Sequence, residues 1–90
     1  MPAIEFDAAK DKANVSKHGI SLSRAADMKV LAILQVDGID YGETRYRAFG
    51  MIDDRAHCLV FTERSGAMRI ISLRRAHEKE IARYVKTQGP

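Results

Sequence analysis

A change of hydrophobic period near residue 30 sets the limits on what this chain can become. Before it, the spacing suits helices. After it come four runs rich in branched and aromatic residues, at 30–36, 44–52, 57–64 and 68–74. Turns rich in Gly, Asp and Ser, at 37–42, 53–56 and 65–67, part them. Connections this short bring consecutive strands together antiparallel, because a parallel partner needs a crossover of about a dozen residues or more. A four-stranded antiparallel meander is expected. Gly50, inside the second run, hints at a bulge or a close approach.

Helices frame the sheet. Asp7 can cap a helix over 8–17 that holds neither Pro nor Gly. Lys17 and His18 close it, and Gly19 supplies a left-handed stop. Ser21 can cap a second, shorter helix from Leu22 to about Met28. Helical spacing returns from Arg75 to about Lys86, with Ile81, Tyr84 and Val85 on one stripe. The order of two helices, four strands and a C-terminal helix gives an α+β fold. One sheet face is covered by helices and the other is free.

At 90 residues the chain makes one domain, 1–90, with a thin core. An apolar share of 46% against 30% charged fits a globular protein and not a disordered one. The longest apolar run, 30–34, falls far short of the roughly 20 residues of a membrane span. No basic-then-apolar leader opens the sequence, so a cytoplasmic protein without membrane contact is expected. The lone Cys58 suits a reducing compartment. With His18, His57 and His77 scattered, it matches no zinc spacing. There is no phosphate loop and no dinucleotide fingerprint, so neither metal nor cofactor is expected.

Net charge is +3, unevenly spread. Residues 64–86 hold seven Lys or Arg against two Glu, whereas 1–63 hold eight basic against ten acidic residues. Such an excess either solvates a face or meets an anionic partner such as nucleic acid. The choice turns on whether the basic residues share one surface.

Side chains alternate along a strand, so register decides that. With Arg64 opposite Met68, Phe61 meets Ile71, Leu59 meets Leu73 and Glu63 meets Arg69. The reverse face then carries Cys58, Val60, Thr62, Arg64, Ile70, Ser72 and Arg74. With Ile52 opposite His57, Arg45, Arg47, Phe49 and Met51 join that face. Arg45, Arg47, Arg64 and Arg74 would then surround Thr62 and Ser72, and like charges repel unless an anion sits among them. Guanidinium groups match phosphate oxygens two at a time, which suits a phosphodiester.

The pattern Phe6-Asp7-x-x-Lys10-x-x-x-Asn14-x-x-Lys17-His18-Gly19-Ile20 resembles the N-terminal signature of the BrnT toxin family. Asp40-Tyr41-Gly42-Glu43-x-Arg45-Tyr46, with Gly50 beyond, resembles its middle block. Val60-Phe61-Thr62-x-Arg64 and Arg69-Ile70-Ile71-Ser72-x-Arg74-x-Ala76 resemble its last two strands, and Glu80 and Tyr84 its closing helix. The resemblance implies a RelE-like fold and the toxin of a type II toxin–antitoxin pair, a metal-independent ribonuclease that halts translation. It also implies a BrnA-type antitoxin, a DNA-binding protein that neutralises the toxin and carries it to operator DNA. Family members usually carry Trp in place of Phe6. An arginine often precedes the Asp-Tyr-Gly-Glu block, where this chain has Gly38 and Ile39.

Metal-free RNA cleavage uses the 2′-hydroxyl as nucleophile, so proton transfer and stabilisation of the phosphorane fall to side chains. Arg64 and Arg74 are the candidates for the developing charge, and His18 and Tyr84 for proton transfer, with Glu43 and Lys17 as further options. Lys17, Arg45, Arg47, Thr62, Arg69, Ser72 and Arg75 are candidates for binding RNA. Each has a plainer reading. His18 and Lys17 can simply meet the helix dipole; Tyr84 can be core; Arg74 or Arg75 can pair with Glu78 or Glu80; Glu43 can pair with Arg45 or Arg47. Two other functions compete with the ribonuclease. One is a non-catalytic basic binding module. The other is a degenerate toxin that acts only as antitoxin partner and operon co-repressor.

Overall fold

The computed structural model describes residues 3–36 and 43–88, with the side chains of 84–88 outside the description. Asp7 opens helix α1 (Ala8–His18), its carboxylate accepting the Ala9 N–H at 2.7 Å. Gly19 ends it at φ 74°, donating its N–H to the Val15 carbonyl. Asp11 fastens the following segment: its carboxylate accepts the Ser21 hydroxyl at 2.9 Å and the Leu22 N–H at 2.7 Å. That segment, Leu22–Asp27, is a 3₁₀ helix and not the second α-helix expected. The burial pattern explains why: Leu22 and Ala25 within it and Met28 at its C-cap recur every third position, the period of a 3₁₀ turn.

The strands are β1 (Ile4–Glu5), β2 (Lys29–Val36), β3 (Arg45–Ile52), β4 (Arg55–Arg64) and β5 (Ala67–Arg75), in the order β1-β5-β4-β3-β2. The expected four-stranded antiparallel sheet is thus corrected to five strands with one parallel pair, β1 with β5. Two residues are too few to show a period, which is why β1 does not stand out in the sequence. The long connection from β1 to β5 is what permits parallel pairing.

Both hairpin turns are tighter than the sequence suggested. Asp53 and Asp54 (φ 51° and 61°) join β3 to β4, and Ser65 and Gly66 (φ 53° and 81°) join β4 to β5. Left-handed conformations at both central residues match the twist of the flanking strands. Ile52 therefore faces Arg55, not His57, a shift of two that leaves every side chain on its expected face. At the second turn Arg64 faces Ala67, not Met68, a shift of one that reverses faces. Phe61 meets Ile70, Thr62 meets Arg69 and Glu63 meets Met68. A bulge then skips Ile71, and from Val60 opposite Ser72 onward the expected pairing returns, with Leu59 opposite Leu73. The bulge sends Ile70 to the core and turns Arg69 to the opposite face.

Two apolar clusters lie on opposite faces. The larger joins Leu22, Ala25 and Met28 to Ala48, Ile52, Leu59, Phe61, Ile70 and Leu73. The smaller gathers Phe49, Ala56, Cys58, Ala76 and Ile81. Ile81 belongs to helix α2 (Glu78–Gln88), so both faces carry helix, and the expectation of one wholly free face is corrected. Gly50 marks a close approach: a Cβ there would run into the Lys29 carbonyl.

Candidate functional site

Residues directly opposed across a sheet share a face, so the ladder can be read in rows. On the α2 side, one row runs Arg45, Thr62, Arg69, Glu5. The next is Arg47, Val60, Ser72, and the third is Phe49, Cys58, Arg74. Arg64 lies one step beyond the first row on the same face. Helix α2 packs over the apolar end of this face through Ile81, Phe49, Cys58 and Ala56. The end carrying Arg45, Arg47, Arg64 and Arg69 lies outside that cluster, and Arg74 marks the border. Arginines from three adjacent strands thus converge on one half-sheet, with Arg69 added by the bulge.

Carboxylates keep these cations from repelling one another. Glu43 stands 3.7 Å from both Arg45 and Arg64, bridging β3 and β4. Glu5 stands 3.7 Å from Arg69. Glu80 on α2 accepts a hydrogen bond from Arg74 at 3.1 Å. Five guanidiniums against three carboxylates leave the half-sheet positive. The Nε of Arg47 is buried with no hydrogen-bond partner among the described residues.

The hydrogen bond from Arg74 holds the Glu80 carboxyl below its usual range, with Arg47 adding to the effect. Burial pushes the Cys58 thiol up, against the pull of Arg74 and Arg47. A thiol held protonated beneath a helix packs as a small apolar group.

Thr62 lies in the first row, but it is 2% exposed and its hydroxyl donates to the Thr44 carbonyl. Ser72 borders a shallow groove of about 250 Å³ at the β5 edge, shared with Lys10, Lys17 and His18 of α1. Lys17 and His18 therefore neighbour the arginine half-sheet without belonging to it. Arg75 shares its row with His57 on the other face. His18 and Arg75 line a separate cleft of about 520 Å³ with Arg24, Asp53, Arg55 and His57. Sequence reasoning did not single out His57 or Arg55 for any role; His57 sits in a run that reads as core, and only the short turn at 53–54 brings Arg55 beside it. Tyr84 follows Glu80 by one turn of α2. Gly38, Ile39 and the Asp40-Tyr41-Gly42 block lie outside the described residues.

Among the described residues no His, Cys, Asp or Glu side chains gather in threes as metal ligands, and no helix is long and apolar enough to cross a membrane. A family model described as the ribonuclease toxin, BrnT, of type II toxin–antitoxin systems matches residues 6–80. No curated protein matches the chain.

Proposed function

Since the chain belongs to the BrnT family of ribonuclease toxins of type II toxin–antitoxin systems, we propose that it cuts RNA on the arginine half-sheet without a metal. An antitoxin partner comes with membership of such a system. The observation that carries the assignment of the site is the register that puts Arg45, Arg47, Arg64, Arg69 and Arg74 on one face.

In the proposed reaction the 2′-oxygen attacks the adjacent phosphorus. A P–O2′ bond forms, the P–O5′ bond breaks, and the products are a 2′,3′-cyclic phosphate and a 5′-hydroxyl. Arg64 and Arg74 stabilise the charge that builds on the phosphoryl oxygens, the step at which a fixed donor counts most. Arg45, Arg47 and Arg69 hold the flanking phosphates. RNA entering the site displaces Glu43 from Arg45 and Arg64. The freed carboxylate then takes the proton of the 2′-hydroxyl. The proton for the departing 5′-oxygen is assigned to Tyr84 from the family pattern alone, its side chain lying outside the described residues. His18 is not on this face and has no part in the step. Cleavage of cellular RNA in this way arrests translation. The antitoxin is of the BrnA type, binds operator DNA, and neutralises the toxin by covering the arginines.

End-group analysis tests the reading. Purified protein incubated with RNA in excess EDTA should yield 2′,3′-cyclic phosphate ends and leave DNA of the same sequence intact. Cleavage that stops on chelation, or products with 5′-phosphates, would reject it.

A further inference from the structure

On the sheet face opposite the arginine half-sheet, under the Asp53–Asp54 turn, lies a cleft of about 520 Å³ that the proposed reaction does not use. Its walls come from the end of α1 (His18), the 3₁₀ helix (Arg24), the turn (Asp53) and two strands (Arg55, His57, Arg75). Three of these six are arginines and two are histidines. The one carboxylate among them is already engaged: Asp53 binds Arg24 at 2.8 Å, and Arg24 also holds Asp27 at 2.9 Å. Arg24 thus sits between two carboxylates, and the three side chains together carry one negative charge. Arg55 and Arg75 have no acidic partner among the described residues. Arg55 and Arg75 outweigh that single negative charge, so the cleft and its rim keep a positive balance.

His57 gives the cleft a fixed polar point. The ring is 4% exposed, and its Nδ1 lies 2.7 Å from the Arg55 carbonyl. A carbonyl can only accept, so Nδ1 carries the hydrogen and Nε2 is left for a ligand. Arg75 stands directly across the ladder from His57. A cation would be repelled by this surround. A lone carboxylate would fill little of the space. The volume falls in the range of small-molecule sites, roughly 300 to 1000 Å³.

We infer that this cleft is a second phosphate-binding site, sized for a nucleoside phosphate, in which Arg55 and Arg75 hold the phosphate and His57 meets a hydroxyl. The site stands whether or not RNA is cut on the other face. The phosphate can belong to a free nucleotide or to a nucleic-acid strand, and both sources share this chemistry.

The chain has only three histidines, so their ring signals in NMR report on the cleft directly. His57 lines this cleft only, His18 lines both it and the groove beside Ser72, and His77, which lines neither, serves as an internal control. The probes are adenosine 5′-monophosphate and a short 2′-O-methylated oligoribonucleotide, which resists cleavage. Saturable shifts of His57 and His18, with His77 still, are expected with one or both, and the stronger binder identifies the source. Arg55→Gln with Arg75→Gln should weaken the binding read at His57 at least tenfold, while Lys12→Ala, which lines neither the cleft nor the groove beside Ser72, leaves it unchanged. Still rings with both probes, or equal shifts in the double variant, would overturn the inference. Because the readout is binding at these rings, its failure is distinct from a failure of RNA cleavage.

Discussion

Asn14 completes the edge of β5 by pairing with both backbone groups of Leu73. Its carboxamide donates to the Leu73 carbonyl at 2.8 Å and accepts the Leu73 N–H at 3.2 Å. The same amide nitrogen donates to the Ile20 carbonyl at 2.9 Å, so one side chain ties α1 to the sheet and to the loop after it. Asn14→Ala would leave three backbone groups without partners at a buried point. A loss of about 1–3 kcal/mol is expected in urea unfolding, the usual cost of an unsatisfied buried group. Asn14→Asp should be no better, because a carboxylate cannot donate.

Gly50 is fixed by space and not by an unusual backbone angle. A methyl group there meets the backbone carbonyl of Lys29 and the Met28 side chain. The carbonyl cannot move without disturbing the β2–β3 ladder. Gly50→Ala should therefore lower stability by about 1–3 kcal/mol, the range for overpacked sites. Gly66→Ala, where nothing lies within 4 Å, isolates the cost of the left-handed backbone alone.

The pair Arg74–Glu80 links the sheet to α2 and sets an acid dependence. Arg74 lowers the Glu80 carboxyl in the folded state. The stabilisation is therefore full above the ordinary glutamate value of about 4.3 and is lost as pH falls through the lowered folded value. Both side chains are partly exposed, so the pair is worth about 0.5 kcal/mol. Glu80→Gln should unfold more easily than the parent at pH 7, and the gap should close on acidification. A constant gap from pH 7 to pH 2 would show that the carboxylate charge is not its source.

Glu43 ties binding to chemistry in the proposed site. It stands 3.7 Å from both Arg45 and Arg64, and in the proposed reaction RNA displaces it. Glu43→Gln should bind uncleavable RNA a few-fold more tightly, because less charge has to be displaced. It should nevertheless cut RNA about 100-fold more slowly, the lower range for a lost general base. Tighter binding with an undiminished cleavage rate would remove the proton-transfer role and keep the ion-pair role.

The parts of the fold that were legible in the sequence are those with a long period or a clear cap. Asp7, Gly19 and the runs around β3 to β5 are of this kind, and the parity of β3 against β4 followed from keeping Leu59 and Phe61 inside. What stayed hidden depended on one residue or on distant pairing. A two-residue turn at Ser65–Gly66 and a three-residue one differ by a single register step, and the compensating bulge at Ile71 leaves no local signal. Arg69 consequently reads as a partner of Glu63, whereas it joins the arginine row beside Glu5. Arg75 falls outside that row because it alternates with Arg74 along β5, and His18 because it ends α1 and is not on the sheet. Their neighbours in the cleft come from four separate elements, which no single stretch of sequence displays.

The central claim is that guanidiniums gathered on one half-sheet perform the RNA cleavage. Single-turnover cleavage of a short RNA by the parent and by Arg64→Ala, with EDTA present and matched circular dichroism, tests it most directly. Arg64 is half exposed and, among the described residues, its one ion pair is the long contact to Glu43, so its loss should not disturb folding. The variant is expected to cut about 100- to 1000-fold more slowly, the usual effect of removing one donor to developing charge. A variant that cuts at the parent rate would contradict the claim.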